Sequence, residues 1–185
     1  MNKQTLQVNG AVSLALRVYE PEGAPRASVV IGGAMGVRQS YYEAFALWMA
    51  QQGFRVTTFD YRGHGDSLQG AMRDVKADLF DWAQDYEAVI TAAKAALPSQ
   101  PLYLLGHSLG AQLPGLLRNP GQVDGLLNVA GIIQRFRDRV SCFERQRRRR
   151  QHLPAVFPGA VDQLVGLGVG EDRVAGVGLL LAFGH

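Results

Sequence analysis

Alternating hydrophobic and polar residues characterise the start of the chain. From Val12 to Val18 every second residue is apolar, and the pair Asn9-Gly10 stands just before this stretch. An Asn-Gly pair favours a tight turn with positive φ, and period-two alternation is typical of a strand with one buried face. This segment therefore predicts an antiparallel β-hairpin.

Short apolar runs that end at loops follow the hairpin. Four of them predict buried strands: ASVVIGG, FRVTTFD, PLYLLG and LLNVAG. Helical spacing of apolar residues predicts one helix that begins with a Ser40/Glu43 capping box and ends at Gly53, another over residues 78–97, and a short one at LGAQLPGLLRN. Strands that alternate with helices predict an α/β fold with a mostly parallel sheet and the antiparallel hairpin at its N-terminal side.

The alternation of strands and helices stops after Gly131. Residues 132–185 contain nine arginines, no lysine and five acids, and the last 27 residues include seven glycines. This segment carries a formal charge of +4, whereas residues 1–131 carry −1, so the basic character of the chain comes from its tail. We therefore divide the chain into a core, residues 1–131, and an arginine- and glycine-rich tail, residues 132–185.

Composition limits where the protein works and what it binds. The one cysteine, Cys142, cannot form an internal disulfide, and the first residues lack the apolar stretch of a secretory signal. The chain also lacks a run of about 20 apolar residues, the length that spans a bilayer. We expect a cytoplasmic protein without a membrane span, and no metal or organic cofactor is implied.

The motif Gly106-His107-Ser108-Leu109-Gly110 lies between a predicted strand and a predicted helix. A GxSxG at such a turn holds the serine hydroxyl above the edge of the sheet, and its glycines remove Cβ atoms that would clash. The alternative is a glycine-rich loop with an incidental serine. The strand–turn–helix context favours a nucleophile elbow, with Ser108 as the catalytic nucleophile.

Two further segments strengthen this interpretation. Both resemble segments of monoglyceride-lipase-like and serine-aminopeptidase-like members of the α/β-hydrolase superfamily. The stretch AMGVRQSYYEAFA is similar to the oxyanion loop of these proteins, and GFRVTTFDYRGHGDS is similar to their DxRGxGxS segment. The resemblance covers about residues 27–131. It implies an α/β-hydrolase fold and a serine hydrolase acting on carboxylic esters or related acyl compounds, with a small-molecule substrate.

The resemblance also implies an oxyanion hole. The backbone N–H groups of Met35 and Leu109 would donate to the oxyanion, with Ala34 as the alternative to Met35. Where the family has His-Gly in the first loop, this chain has Gly33-Ala34, so only the backbone role carries over.

Charged and histidine residues near these motifs are expected to have structural roles. His107 precedes the nucleophile and is expected to pack beside the elbow, and His64 is expected to shape the loop after its strand. Asp60 and Asp66 are expected to make hydrogen bonds within that loop, and Arg62 to pair with a nearby acid.

A serine hydrolase of this family also needs an acid and a histidine base, which form a catalytic triad with the serine. The family order places an acid and then a histidine after the serine, but only 77 residues follow Ser108. The candidates are Asp162, Asp172, His152 and His185. A Ser108–Asp172–His185 triad is one possibility, but we expect no histidine of the tail within reach of Ser108, because the glycine-rich tail shows no helix that would position it.

The tail allows two further interpretations. Its abrupt start after a strand of the family pattern, its arginines without lysine and its repetitive Gly, Ala and Val content are what a shifted reading frame through GC-rich coding DNA would produce. The sheet would then be incomplete on its C-terminal side, the protein would be catalytically silent, and the exposed edge would allow self-association.

The cluster of Arg145 and residues 147–150 suggests a nucleic-acid-binding module, but without interleaved aromatic residues or a recognised binding fold we expect no nucleic-acid binding.

Overall fold

The structure is a computed structural model that describes residues 1–129 and the backbone of residues 180–183. The strands are β1 (Asn2–Asn9), β2 (Val12–Tyr19), β3 (Ala27–Gly32), β4 (Phe54–Phe59), β5 (Leu102–His107), β6 (Gly125–Val129) and β7 (Leu180–Phe183). The α-helices are α1 (Glu43–Gln51), α2 (Leu79–Ala96) and α3 (Leu109–Gln112). Short 3₁₀ turns are Gln39–Tyr42, Gly65–Ser67, Met72–Asp74, Leu113–Leu116 and Pro120–Gln122.

One sheet organises the described residues. Its strand order is β1-β2-β4-β3-β5-β6-β7, in which β4, β3, β5 and β6 are parallel. The β1–β2 hairpin joins antiparallel through β2 and β4. The prediction of a mostly parallel α/β sheet with an antiparallel N-terminal hairpin is therefore confirmed.

The C-terminal side of the sheet continues past β6. Strand β7 pairs antiparallel with β6, with Leu126 opposite Ala182. The described part of the sheet therefore ends at β7 on this side. Self-association through a sheet edge stays a prediction, as does the division of the chain at residue 131.

The two longer helices begin in different ways. At α2, the Asp78 carboxylate accepts from the backbone N–H groups of Phe80 and Asp81, and the Asp81 carboxylate accepts from the N–H of Asp78, which completes a capping box. The capping box predicted for Ser40 and Glu43 was wrong. Tyr42 is the N-cap of α1 and has no side-chain cap. Ser40 lies inside the preceding 3₁₀ turn, where its backbone carbonyl accepts from the N–H of Glu43, and the Glu43 carboxylate binds Arg17 of β2 at 2.9 Å.

Two hydrophobic layers cover the faces of the sheet. Val30 of β3 belongs to the layer that includes Tyr86 of α2, whereas Val29 and Ile31 belong to the opposite layer with α1. Because alternate residues of a strand face opposite sides, a strand covered on both faces must be apolar throughout. This explains the continuous apolar run of β3.

Parallel strands bring their carboxyl ends to one edge of the sheet, where α/β proteins place their sites. The loop from Gly33, the loop from Asp60 and the turn at Ser108 all begin at this edge. Within residues 1–129, none of the helices combines the length and apolar character needed to cross a membrane. The same residues include no group of three or more His, Cys, Asp or Glu side chains placed to hold a metal ion.

Candidate active site

A single residue separates β5 from α3. The strand ends at His107 and the helix begins at Leu109, so Ser108 alone makes the turn. Its φ of 52° and ψ of −108° are unfavourable for a residue with a Cβ, and among the described residues it is the only non-glycine with positive φ. A residue held in such a region commonly costs about 1–3 kcal/mol and persists because its surroundings impose it.

Glycines allow this turn to form. A Cβ on Gly106 would lie 2.5 Å from the Cα of Ala111, and a Cβ on Gly110 would overlap the carbonyl group of Gly32. The first helical turn of α3 therefore packs directly on the backbones of β5 and β3. The strand–turn–helix geometry expected for the GxSxG motif is present.

The loop after β3 lies against this elbow. The N–H of Gly110 donates to the carbonyl of Gly33 at 3.2 Å, and the N–H of Ala34 donates to the Tyr42 hydroxyl at 2.9 Å. The Ala34 N–H thus already has a partner, and Met35 stays the predicted oxyanion donor. The Met35 side chain is 63% exposed, so core packing does not explain this residue.

His107 also contacts Tyr42. Its Nδ1 lies 2.9 Å from the Tyr42 hydroxyl, and the two rings meet edge to face. Burial lowers the pKa of His107 below its usual 6.5, which favours the neutral imidazole. Burial also raises the pKa of Tyr42 to about 12, so its hydroxyl stays protonated. His107 therefore packs beside the elbow, as expected.

Carboxylates close the loop after β4. Buried Asp60 accepts from the backbone N–H of Gln39 at 2.8 Å and from that of Asp66 at 2.9 Å. His64 Nδ1 lies 3.7 Å from Asp60, and the Asp66 carboxylate pairs with Arg17. These contacts support the structural roles expected for Asp60, His64 and Asp66.

Arg62 ties the same loop to α2. Its side chain donates to Asp85 at 2.8 Å and to Asp81 at 2.7 Å, and its backbone N–H donates to the second oxygen of Asp85 at 2.8 Å. Burial raises the pKa of the fully buried Asp85 carboxyl, and the hydrogen bonds from Arg62 oppose that shift. The expected partner of Arg62 is thus a pair of acids one helical turn apart.

Sequence analysis missed the roles of Tyr42 and Asp85. The sequence assigns no role to Tyr42, because its contact with His107 spans 65 residues. A signal for Asp85 exists, because it lies four residues after Asp81 and directly before the core residue Tyr86. An acid on the buried side of a helix implies a buried basic partner.

The candidates for the acid and the base lie outside the described residues. These are Asp162, Asp172, His152 and His185, and the arginine cluster at residues 145–150 lies there too. Both histidines of the described part have other partners, since His64 faces Asp60 and His107 contacts Tyr42. Within residues 1–129, the structure therefore brings together Ser108, Leu109 and the Met35 loop.

Known proteins share this sequence pattern. The family model of the serine aminopeptidases, S33, matches residues 23–155, so the match extends past Gly131 into the arginine-dense segment. A monoacylglycerol lipase of Mycolicibacterium smegmatis is 31% identical over 101 residues, which are 55% of this chain and 35% of that protein. Human monoglyceride lipase is 27% identical over 122 residues, 65% of this chain and 40% of that protein. The chain thus spans well under half the length of these relatives.

Solved structures share the fold. A soluble variant of Saccharomyces cerevisiae monoglyceride lipase, in complex with a substrate analogue, superposes with a TM-score of 0.63 at 16% identity, over 77% of this chain and 49% of that one. An α/β serine hydrolase without a lid from Xanthomonas campestris gives 0.58 at 21% identity, over 73% and 63%. At these identities the likeness shows the fold alone. Together with the family match, it shows that the chain belongs to the serine aminopeptidase S33 family of the α/β-hydrolase superfamily.

Proposed function

We propose that the protein is a serine hydrolase that cleaves carboxylic esters or related acyl compounds, with Ser108 as its nucleophile. The observation that carries this proposal is the positive φ of Ser108 at the one-residue turn between β5 and α3. Such a turn exposes a serine hydroxyl at the edge of the sheet, and its strain has a functional explanation. The choice of esters rests on the lipases among the relatives.

The proposed reaction has two steps. Ser108 Oγ attacks the acyl carbon while a base takes its proton, and the carbonyl oxygen becomes an oxyanion. The backbone N–H groups of Leu109 and Met35 donate to that oxygen, an interaction whose loss commonly costs about 100-fold or more in rate. The intermediate expels the alcohol, which takes the proton, and water then releases the acyl group from Ser108.

A histidine is the expected base. It must lie within about 2.6–3.2 Å of the serine oxygen, with an acid against its other nitrogen. In the family order, Asp172 and His185 are our candidates for these roles. The alternative is a catalytically silent member of the family, which is favoured by one observation: of the two described histidines, His107 contacts Tyr42 and His64 lies in the loop after β4, 3.7 Å from Asp60. A cytoplasmic location also stays a prediction.

Labelling with a fluorophosphonate probe and hydrolysis of p-nitrophenyl butyrate test the proposal. We expect Ser108→Ala to abolish labelling and to reduce kcat by at least about 1000-fold. Ser40→Ala, which removes an exposed hydroxyl in the turn before α1, is the matched control and is expected to behave like the wild type.

Three outcomes separate the alternatives. Labelling that His185→Ala slows supports the Ser108–Asp172–His185 triad. Slow labelling of Ser108 that is insensitive to His185→Ala indicates the silent member. Hydrolysis that is unchanged in Ser108→Ala refutes the assignment of the nucleophile.

A further inference from the structure

Tyr42 connects the two halves of the proposed oxyanion hole. It lies in the 3₁₀ turn before α1 and is 4% exposed. Its hydroxyl is 2.9 Å from the backbone nitrogen of Ala34 and 2.9 Å from Nδ1 of His107. One buried side chain therefore contacts both the loop after β3 and the end of β5.

The direction of these hydrogen bonds follows from their chemistry. The backbone N–H of Ala34 can only donate, so the Tyr42 oxygen accepts there. The hydroxyl hydrogen of Tyr42 is then available to His107 Nδ1, which accepts it when the imidazole is neutral and carries its proton on Nε2. The chain Ala34 N–H to Tyr42 O–H to His107 Nδ1 is complete and leaves none of the three groups unpaired.

Both ends of this chain adjoin groups that the proposed reaction uses. Ala34 precedes Met35, and His107 precedes Ser108. A second link, from the Gly110 N–H to the Gly33 carbonyl, joins the same loop to α3 at 3.2 Å. Beyond the pairing of β3 with β5, one side-chain link and one backbone link therefore join the Met35 loop to the elbow.

We propose that Tyr42, through this hydrogen-bond chain, is a positioning residue that holds the Met35 loop at its working distance from Ser108 and Leu109. Oxyanion donors act only when they are about 2.7–3.1 Å from the developing charge, and a misplacement of about 1 Å can cost about 100-fold in rate. The effect on turnover rests on the function proposed above.

Tyr42→Phe is the primary test, because it keeps the ring against His107 and removes only the hydroxyl. We expect kcat to fall by about 10- to 100-fold while KM changes less than about twofold, since the donors act on the transition state. We also expect faster hydrogen exchange at the Ala34 amide, which loses its acceptor. The matched control is Tyr61→Phe: this buried hydroxyl has no hydrogen-bond partner among the described residues and packs in the layer of α2.

Two substitutions of His107 test whether a hydrogen-bond acceptor for the Tyr42 hydroxyl is what matters at this position. His107→Asn places an amide oxygen near the position of Nδ1, so it can still accept from Tyr42, and we expect it to retain most of kcat. His107→Leu removes the acceptor and is expected to behave like Tyr42→Phe. All variants are compared under conditions in which circular dichroism shows each to be folded.

The outcomes distinguish this inference from the proposed function. If Tyr42→Phe matches Tyr61→Phe in both kcat and Ala34 exchange, the inference is wrong. Faster exchange with unchanged kcat also overturns the positioning role, because the link would then hold the loop without affecting the reaction. If Ser108→Ala retains wild-type hydrolysis, the proposed function and the positioning role both fail, while Ala34 exchange still reports on the hydrogen bond itself.

Discussion

The loop after β4 and the turn after β5 lie on either side of β3, at the same edge of the sheet, but they are built differently. The loop after β4 is held by buried carboxylates: Asp60 accepts from backbone N–H groups, and Asp85 binds Arg62. The turn at Ser108 is held by close backbone packing, for which Gly106 and Gly110 supply the space.

This difference implies that the two regions fail in different ways. The removal of one partner of a hydrogen-bonded, buried charge leaves the other group unpaired. A backbone contact without Cβ atoms needs no charge, yet it cannot accept one additional carbon. Changes of charge should therefore damage the loop after β4 more than the elbow. Changes of volume should damage the elbow, and in the loop after β4 they should do so at Gly65, where a Cβ would overlap the Asp60 carboxylate.

The largest expected effect comes from Asp85→Ala. This carboxylate is fully buried and receives both a side-chain and a backbone bond from Arg62. Breaking a buried pair by removing one partner commonly costs about 3–5 kcal/mol, so we expect a loss of about 3 kcal/mol in the free energy of unfolding, measured by urea denaturation. Asp81→Ala removes the more exposed partner of Arg62 together with the capping-box bond to the N–H of Asp78, and it should still cost less than about 2 kcal/mol. Equal losses would contradict a loop held by its buried carboxylate.

Gly110→Ala tests whether the elbow is held by close backbone packing, because it adds a single carbon at the contact between α3 and β3. The new Cβ meets the backbone of Gly32, which cannot move without shifting β3, so we expect a loss of about 1–3 kcal/mol in the same measurement. The matched control is Gly121→Ala, whose Cβ would lie 3.8 Å from the Asn119 side chain, and it should stay within about 0.5 kcal/mol of the wild type. A neutral Gly110→Ala would show that the elbow is not held by close packing.

The smallest effect concerns pH and the one titratable group of the elbow. Because burial lowers the pKa of His107, the unfolded chain takes up a proton at this site near pH 6.5, whereas the folded protein does so only at a lower pH. The stability contributed by neutral His107 is therefore present above about pH 6.5 and is lost as the pH falls through the folded-state pKa. His107→Asn should lose less stability than the wild type between pH 7.5 and pH 5.5. The measurement is the free energy of unfolding by urea at each pH. An equal decrease for the two proteins between pH 7.5 and pH 5.5 would contradict this expectation.

Local sequence patterns predicted most of the secondary structure. The hairpin, the four apolar runs and the turn at Ser108 are all specified by residues within a few positions of each other, through alternation, burial on both faces and glycine spacing. The capping box predicted from Ser40 and Glu43 did not form, which shows the limit of local patterns. The pattern was locally consistent, but Ser40 lies inside a 3₁₀ turn, and Arg17, distant in sequence, binds the Glu43 carboxylate.

The sequence by itself determined the α/β-hydrolase core and the place of Ser108 in it, because a strained strand–turn–helix needs particular residues at fixed, short spacing. Only the tertiary structure decided which groups surround that serine. Tyr42 meets His107 across 65 residues and Arg62 meets Asp85 across 23. Such pairs depend on how the helices pack across the sheet, and that packing is driven by burial of many apolar side chains, which does not encode any one polar contact.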